Sequence, residues 1–199
     1  MSDAVLKTPE HAVPKAFTRA QLDWLPWLEP LAVDALTPRH VASLVDAARV
    51  KSPYFRLLAR DPDALEARTR TDKDIFYNPD AGLPRAEREL AAAATSRFNG
   101  CLYCASVHAR HAATYSKRED DVQRLLDAGV TAELGERWNA IVAASVALTA
   151  TPSAFGPEHV ERLRRAGLDD LAISDVIHAA AFFNWANRLM LSLGEPATV

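Results

Sequence analysis

The chain has 199 residues, with 23 basic and 26 acidic side chains and a formal charge of −3. That length suits one domain whose core is large enough to need neither disulfide nor metal for stability. The balanced charge offers no field to gather nucleic acid or an anionic membrane, and no stretch reaches the length of a transmembrane helix, so neither is expected as a partner.

Apolar residues recur at helical spacing almost throughout, while alternating runs rich in Val, Ile and Thr are missing, so the fold class is all-α. Residues 1–20 read as an irregular N-terminal arm, because Pro9 and Pro14 break any pattern, and residues 21–199 as a single all-helical domain. The segment from Met1 to Arg19 lacks the apolar run of a secretory signal, which makes a cytoplasmic location the expectation. Leu22 to Leu36 carries Trp24, Trp27, Leu28 and Leu31 at spacings of three to four, with Pro26 and Pro30 limiting it to short helical pieces. A helix is predicted from Thr37 as N-cap, with Pro38 at its first position, through Val41, Leu44, Val45 and Ala48, interrupted at Ser52-Pro53.

Further helices are predicted from Pro62 toward Phe76, from Arg85 to Phe98 with an Ala-rich middle, and from near Cys101 to about Tyr115. Asn78-Pro79-Asp80-Ala81-Gly82 and Asn99-Gly100 supply the breaks between them. A short helix from Glu119 to Ala128 ends at Gly129, and a long one begins at Thr131 with Trp138, Ile141, Val142, Ser145 and Leu148 on one face. Pro157 to Ala166 and Asp169 to Leu193 complete the set, the last apolar almost all round and therefore buried. Asn184, Asn187 and Arg188 within it are expected to be hydrogen-bonded, in the protomer or across an oligomer interface.

The two cysteines of the chain are Cys101 and Cys104, followed by His108. At about 100° per residue these three positions fall within about 60° of each other on one helix, so they form one cluster. The break at Asn99-Gly100 puts the pair in a first helical turn, where open N–H groups and the helix dipole favour a thiolate. His108, one turn beyond Cys104, can accept its proton. A zinc site built from Cys101, Cys104, His108 and His111 competes with this reading, but four ligands along one rigid helix span too much length to meet one tetrahedral ion. A thioredoxin-like site is disfavoured because no βαβ pattern surrounds the pair.

Glu89, eleven residues, Cys101-x-x-Cys104, three residues and His108 resembles the core motif of the alkylhydroperoxidase D-like proteins of the carboxymuconolactone decarboxylase family. The Cys-x-Tyr-Cys form, Ser52-Pro53-Tyr54-Phe55 and Phe183-Asn184-Trp185-Ala186-Asn187-Arg188 are similar to the peroxidase-related branch. The resemblance implies a single-domain helical bundle and a thiol-dependent peroxidase, free of haem, metal or other cofactor, that reduces organic hydroperoxides. It also implies an external dithiol or thiol-protein reductant and a homo-oligomer, trimer or hexamer. By position, Cys104 is the peroxidatic thiol, Cys101 the resolving one, and Glu89 drives a proton relay through His108. Where the family's best-known peroxidases carry histidine, this chain has Tyr103, a poor proton carrier near neutral pH, so weak activity is expected. The bare helix-terminus argument points the other way for the thiols, toward Cys101 as the more acidic. Two alternatives stand beside the peroxidase: a redox-sensing or structural oligomer with little turnover, and the decarboxylase or lactone chemistry found elsewhere in the family, whose members lack the cysteine pair. Glu87 is expected to be more exposed than Glu89.

Overall fold

The computed structural model describes residues 5–8 and 11–199. In chain order it comprises β1 (Leu22–Pro26), α1 (Pro38–Ser43), α2 (Pro53–Leu58), α3 (Pro62–Tyr77), α4 (Arg85–Phe98) and α5 (Leu102–Ser116). Then come α6 (Glu119–Ala128), α7 (Glu136–Thr149), α8 (Pro157–Arg165), α9 (Asp170–Leu193) and β2 (Gly194–Thr198), with 3₁₀ turns at Val33–Ala35 and Ala47–Lys51. The molecule is a helical bundle, and no helix among the described residues is long and apolar enough to cross a membrane.

Local chemistry accounts for most boundaries. Thr37 and His40 form a reciprocal capping box with Pro38 at the first helical position. Asp61 caps α3 by accepting from the Ala64 N–H, and Asp169 caps α9 by accepting from Ala172. The middle of the bundle is α4, whose Leu90 to Ala94 are wholly buried. Its small side chains let α5, α7 and α9 pack closely around it.

Three expectations are corrected. Leu22–Pro26 is a strand rather than a helical piece, paired antiparallel with Gly194–Thr198 so that Trp24 faces Pro196. Leu22 and Trp24 point inward and Asp23 outward, a period of two that the apolar spacing of Trp24, Trp27 and Leu28 had concealed. Trp24 also donates its indole N–H to the Met190 carbonyl, tying the ribbon to α9. The helix that opens at Thr37 ends at Ser43, because Val45 takes a left-handed φ of 61°. The long helix expected from Thr131 begins at Glu136, after Gly135 at φ 85°. The preceding turn is held by Asn139, which accepts the Leu134 N–H at 2.8 Å. Within the predicted N-terminal arm, residues 5–8 and 11–20 form no helix or strand, and residues 1–4 and 9–10 lie outside the described residues.

Candidate active site

The four residues singled out from the sequence come from α4 and from α5 with its N-cap. The turn between these helices fixes the cysteines. Gly100 sits at φ 78°, a region that L side chains avoid, and the Cys101 N–H then reaches back to the Ser96 carbonyl at 2.9 Å, the longer bond of a Schellman closure. The same Cys101 is the N-cap of α5. Ending one helix and starting the next at a single residue leaves its sulfur beside the first-turn N–H groups.

Asn99 donates to both Asn184 and Asn187 on α9, at 3.2 and 3.1 Å, and the Asn187 amide donates to Ser96 Oγ at 3.0 Å. This network pins α9 behind the cysteine turn. The hydrogen bonding expected of Asn184 and Asn187 is therefore made within the protomer. Asn187 is completely buried, and its amide favours the ionised form of the Cys104 thiol.

Glu89 is buried between two partners. Its Oε2 lies 2.7 Å from His108 Nδ1, and its Oε1 accepts from Arg85 Nε at 3.2 Å. The imidazole is clamped flat against Phe76 and edge-on to Phe183, with ring centroids 5.1 and 4.0 Å away. With Nδ1–H donated to the carboxylate, Nε2 is the lone-pair nitrogen. Glu87 is the more exposed of the two carboxylates, yet it too is buried, in a two-pronged ion pair with Arg137 at 2.7 and 2.8 Å. The charged run around Glu89 is thus not a solvated surface.

Cys101 and Cys104 are free thiols, unbonded to each other and both buried. Hydrogen bonding from Cys104, with the backbone N–H groups of Cys104 and Tyr103, holds the Cys101 thiol below its ordinary pKa against the cost of burial. The same hydrogen bond and desolvation by burial push Cys104 well above its ordinary pKa. Acidity therefore favours Cys101, as the helix-terminus argument had it. Access favours Cys104, because a cavity of about 210 Å³ is lined by Cys104 and not by Cys101.

His108, Glu89, Tyr103 and His111 line the same cavity, so it gathers three of the four predicted residues. Burial pushes the Tyr103 phenol up and the His111 imidazole down. Among the described residues, no group of three or more His, Cys, Asp and Glu side chains is arranged to hold a metal ion.

Two cavity residues were not found from the sequence as site residues. Tyr54 is buried, and desolvation raises its phenol to about 12. Arg68 extends from α3 toward Cys104 and favours its ionised form. A signal for Arg68 was present: it follows Leu65 by three positions and precedes Ile75 by seven, a place on the buried face of α3 where an apolar side chain would pack.

Residues 62–147 match the profile of the Carboxymuconolactone decarboxylase family, and no curated protein matches the sequence. Among solved structures, the chain is similar to an uncharacterised peroxidase-related protein with an alkylhydroperoxidase AhpD core from Ralstonia eutropha JMP134. The TM-score is 0.71 at 24% identity, covering 83% of this chain and 88% of that one. An uncharacterised peroxidase-related protein from Silicibacter sp. TM1040 gives 0.68 at 21% identity, over 84% and 91%. The apo form of the debrominase Bmp8 gives 0.66 at 18% identity, over 82% and 88%. At such identities the likeness is one of fold.

Proposed function

We propose, for a chain that belongs through residues 62–147 to the carboxymuconolactone decarboxylase family, that it is a thiol-dependent peroxidase acting on organic hydroperoxides. The observation that carries the reading is the Glu89–His108 pair at 2.7 Å, buried beside a cavity that presents Cys104. Oriented by Glu89, the His108 Nε2 takes one proton from the thiol pair, through a water or directly. The other proton of the pair passes along the S–H···S bond to Cys101, leaving the thiolate on Cys104.

That sulfur attacks the distal peroxide oxygen. The S–O bond forms as O–O breaks, sulfur is oxidised to a sulfenic acid, and the alkoxide takes the proton held on His108 and leaves as an alcohol. The Cys101 thiol then displaces the sulfenic hydroxyl, its own proton completing the water, and an S–S bond closes. An external dithiol returns the pair to two thiols by exchange. The assignment of first attack to Cys104 rests on access to the cavity and on its closeness to His108. The lower pKa of Cys101 makes that thiol the better holder of negative charge between turnovers. The same reading carries the expectation of a homo-oligomer, trimer or hexamer, which sedimentation velocity measures.

The test is thiol loss from reduced protein after addition of cumene hydroperoxide. Cys104→Ser abolishes it, whereas Cys101→Ser leaves a sulfenic acid that dimedone traps. If neither variant changes the rate of peroxide consumption, the peroxidase reading is wrong. A second reading, debromination of a small heteroaromatic, is favoured by the aromatic walls at Phe76 and Phe183 and by the fold shared with the debrominase. Bromide release from 2,3,4-tribromopyrrole, the compound bound to a cysteine variant of that debrominase, separates the two.

A further inference from the structure

The arginines that line the cavity are not equally balanced. Arg49 donates to Asp72 at 3.2 Å and Arg85 donates to Glu89 at 3.2 Å, so each carboxylate of the cavity already has its own guanidinium. Arg68 has none. The residue is only 8% exposed, and its Nε and Nη1 are buried without a hydrogen-bond partner among the described residues. The hydroxyl of Tyr54 is buried without a partner as well.

The Arg68 guanidinium carbon lies 5.7, 5.5 and 5.4 Å from the ring centroids of Tyr54, Phe55 and Phe182. Such contacts act through ring faces and leave the in-plane N–H groups of a guanidinium open. A buried cation with open donors is costly to fold around. An apolar residue at this position of α3 would avoid that cost. Arg68 lines the cavity that also holds Cys104.

We propose that Arg68, with the Tyr54 hydroxyl beside it, is the anchor for a substrate carboxylate. The substrate is then a carboxylic acid with the hydroperoxide at its other end, its apolar body lying against Phe76, Phe183 and Met190. A planar monoanion matches one guanidinium edge in the two-pronged manner. A phosphate dianion would call for a second unpaired cation, and Arg49 and Arg85 are both taken. The reacting end of this substrate rests on the peroxidase reading; the anchor does not.

Binding reads the anchor without turnover. Calorimetry with reduced wild-type protein compares 4-isopropylbenzoate with its amide, two ligands of the same shape that differ in charge. The acid binds at least tenfold more tightly, and Arg68→Met removes the preference without lowering the melting temperature, since an unpaired buried charge has gone. Equal binding of acid and amide to the wild type overturns the proposal, whatever the variant does.

In turnover, 4-carboxycumene hydroperoxide has a kcat/KM at least tenfold above that of cumene hydroperoxide, and Arg68→Met erases the gap. Acid preference in binding with neither peroxide consumed leaves the anchor standing and removes the peroxidase. Consumption of both peroxides at equal kcat/KM, with acid and amide bound alike, does the reverse. An Arg68→Met protein that keeps the acid preference and changes only the pH profile of thiol alkylation also overturns the anchor, because Arg68 would then serve the Cys104 thiolate alone.

Discussion

Replacing Glu89 by Gln changes one atom type in a side chain held on both oxygens, at 2.7 Å by His108 and at 3.2 Å by Arg85. The amide has one acceptor and one donor. Arg85 only donates, so the Gln oxygen turns to Arg85 and the NH₂ faces His108 Nδ1. The imidazole then places its proton on Nε2, the nitrogen meant to accept from the cysteine pair, and the base is lost through the wrong tautomer. General base catalysis contributes about 10²–10⁴ in rate, so thiol oxidation by cumene hydroperoxide should slow by at least about a hundredfold. Of two charge-assisted hydrogen bonds, each contributing about 1.5–3 kcal/mol, the one to His108 becomes neutral and the one to Arg85 keeps only its cationic donor, so both weaken. A stability loss of about 2 kcal/mol follows, which lowers the melting temperature by about 4–8 °C in a domain of this size. Stopped-flow thiol loss and a thermal melt read the two effects separately. Wild-type oxidation in a variant that melts lower would reduce Glu89 to a structural anion and refute the relay. An unchanged melt would refute the buried pair itself. Combined with His108→Gln, Glu89→Gln should cost little more than either change alone, because both remove one unit.

Three further outcomes follow from the site and the fold. The ultraviolet absorbance of thiolate should rise with pH in two separate steps, because the shared hydrogen bond lowers Cys101 and raises Cys104. Cys104→Ala, which deletes the S–H donor, should move the first step to higher pH, and a first step that stays in place would show that the pair is not coupled. Asn187→Ala leaves Asn99 and Ser96 without their shared partner in a completely buried position. It should cost about 1–3 kcal/mol by denaturant titration. At Gly194 a Cβ would run into the backbone oxygen of Leu25 and the ring of Trp24. Gly194→Ala should therefore lower stability by about 1–3 kcal/mol and quench or shift Trp24 fluorescence, whereas a neutral result would contradict the observed approach of β1 to β2.

Much of the helical framework was legible because its signals are local. Asp61 with Pro62, Asn99-Gly100 and Asp169 each mark a helix end through a cap or a left-handed turn within a few residues. The ribbon was not legible, since Leu22–Pro26 finds its partner only at Gly194–Thr198, near the other end of the chain. Its aromatic residues meanwhile imitate a helical period. Within the site, Glu89 and His108 could be linked by spacing and resemblance, and they lie in contact. Arg68 and Tyr54 escaped because their importance lies in unfilled hydrogen bonds. A missing partner is a property of the packed interior. The roles of the two thiols were ambiguous in the sequence, and the structure explains why: Cys101 is held by the helix start, while Cys104 alone opens on the cavity.

The most direct measurement adds one equivalent of cumene hydroperoxide to reduced protein and follows both partners by mass spectrometry. The account predicts one cumyl alcohol formed per chain, a protein mass lower by two hydrogens, and a Cys101–Cys104 linkage in the peptide map. Intact peroxide, or alcohol formed while both thiols remain free, would contradict it.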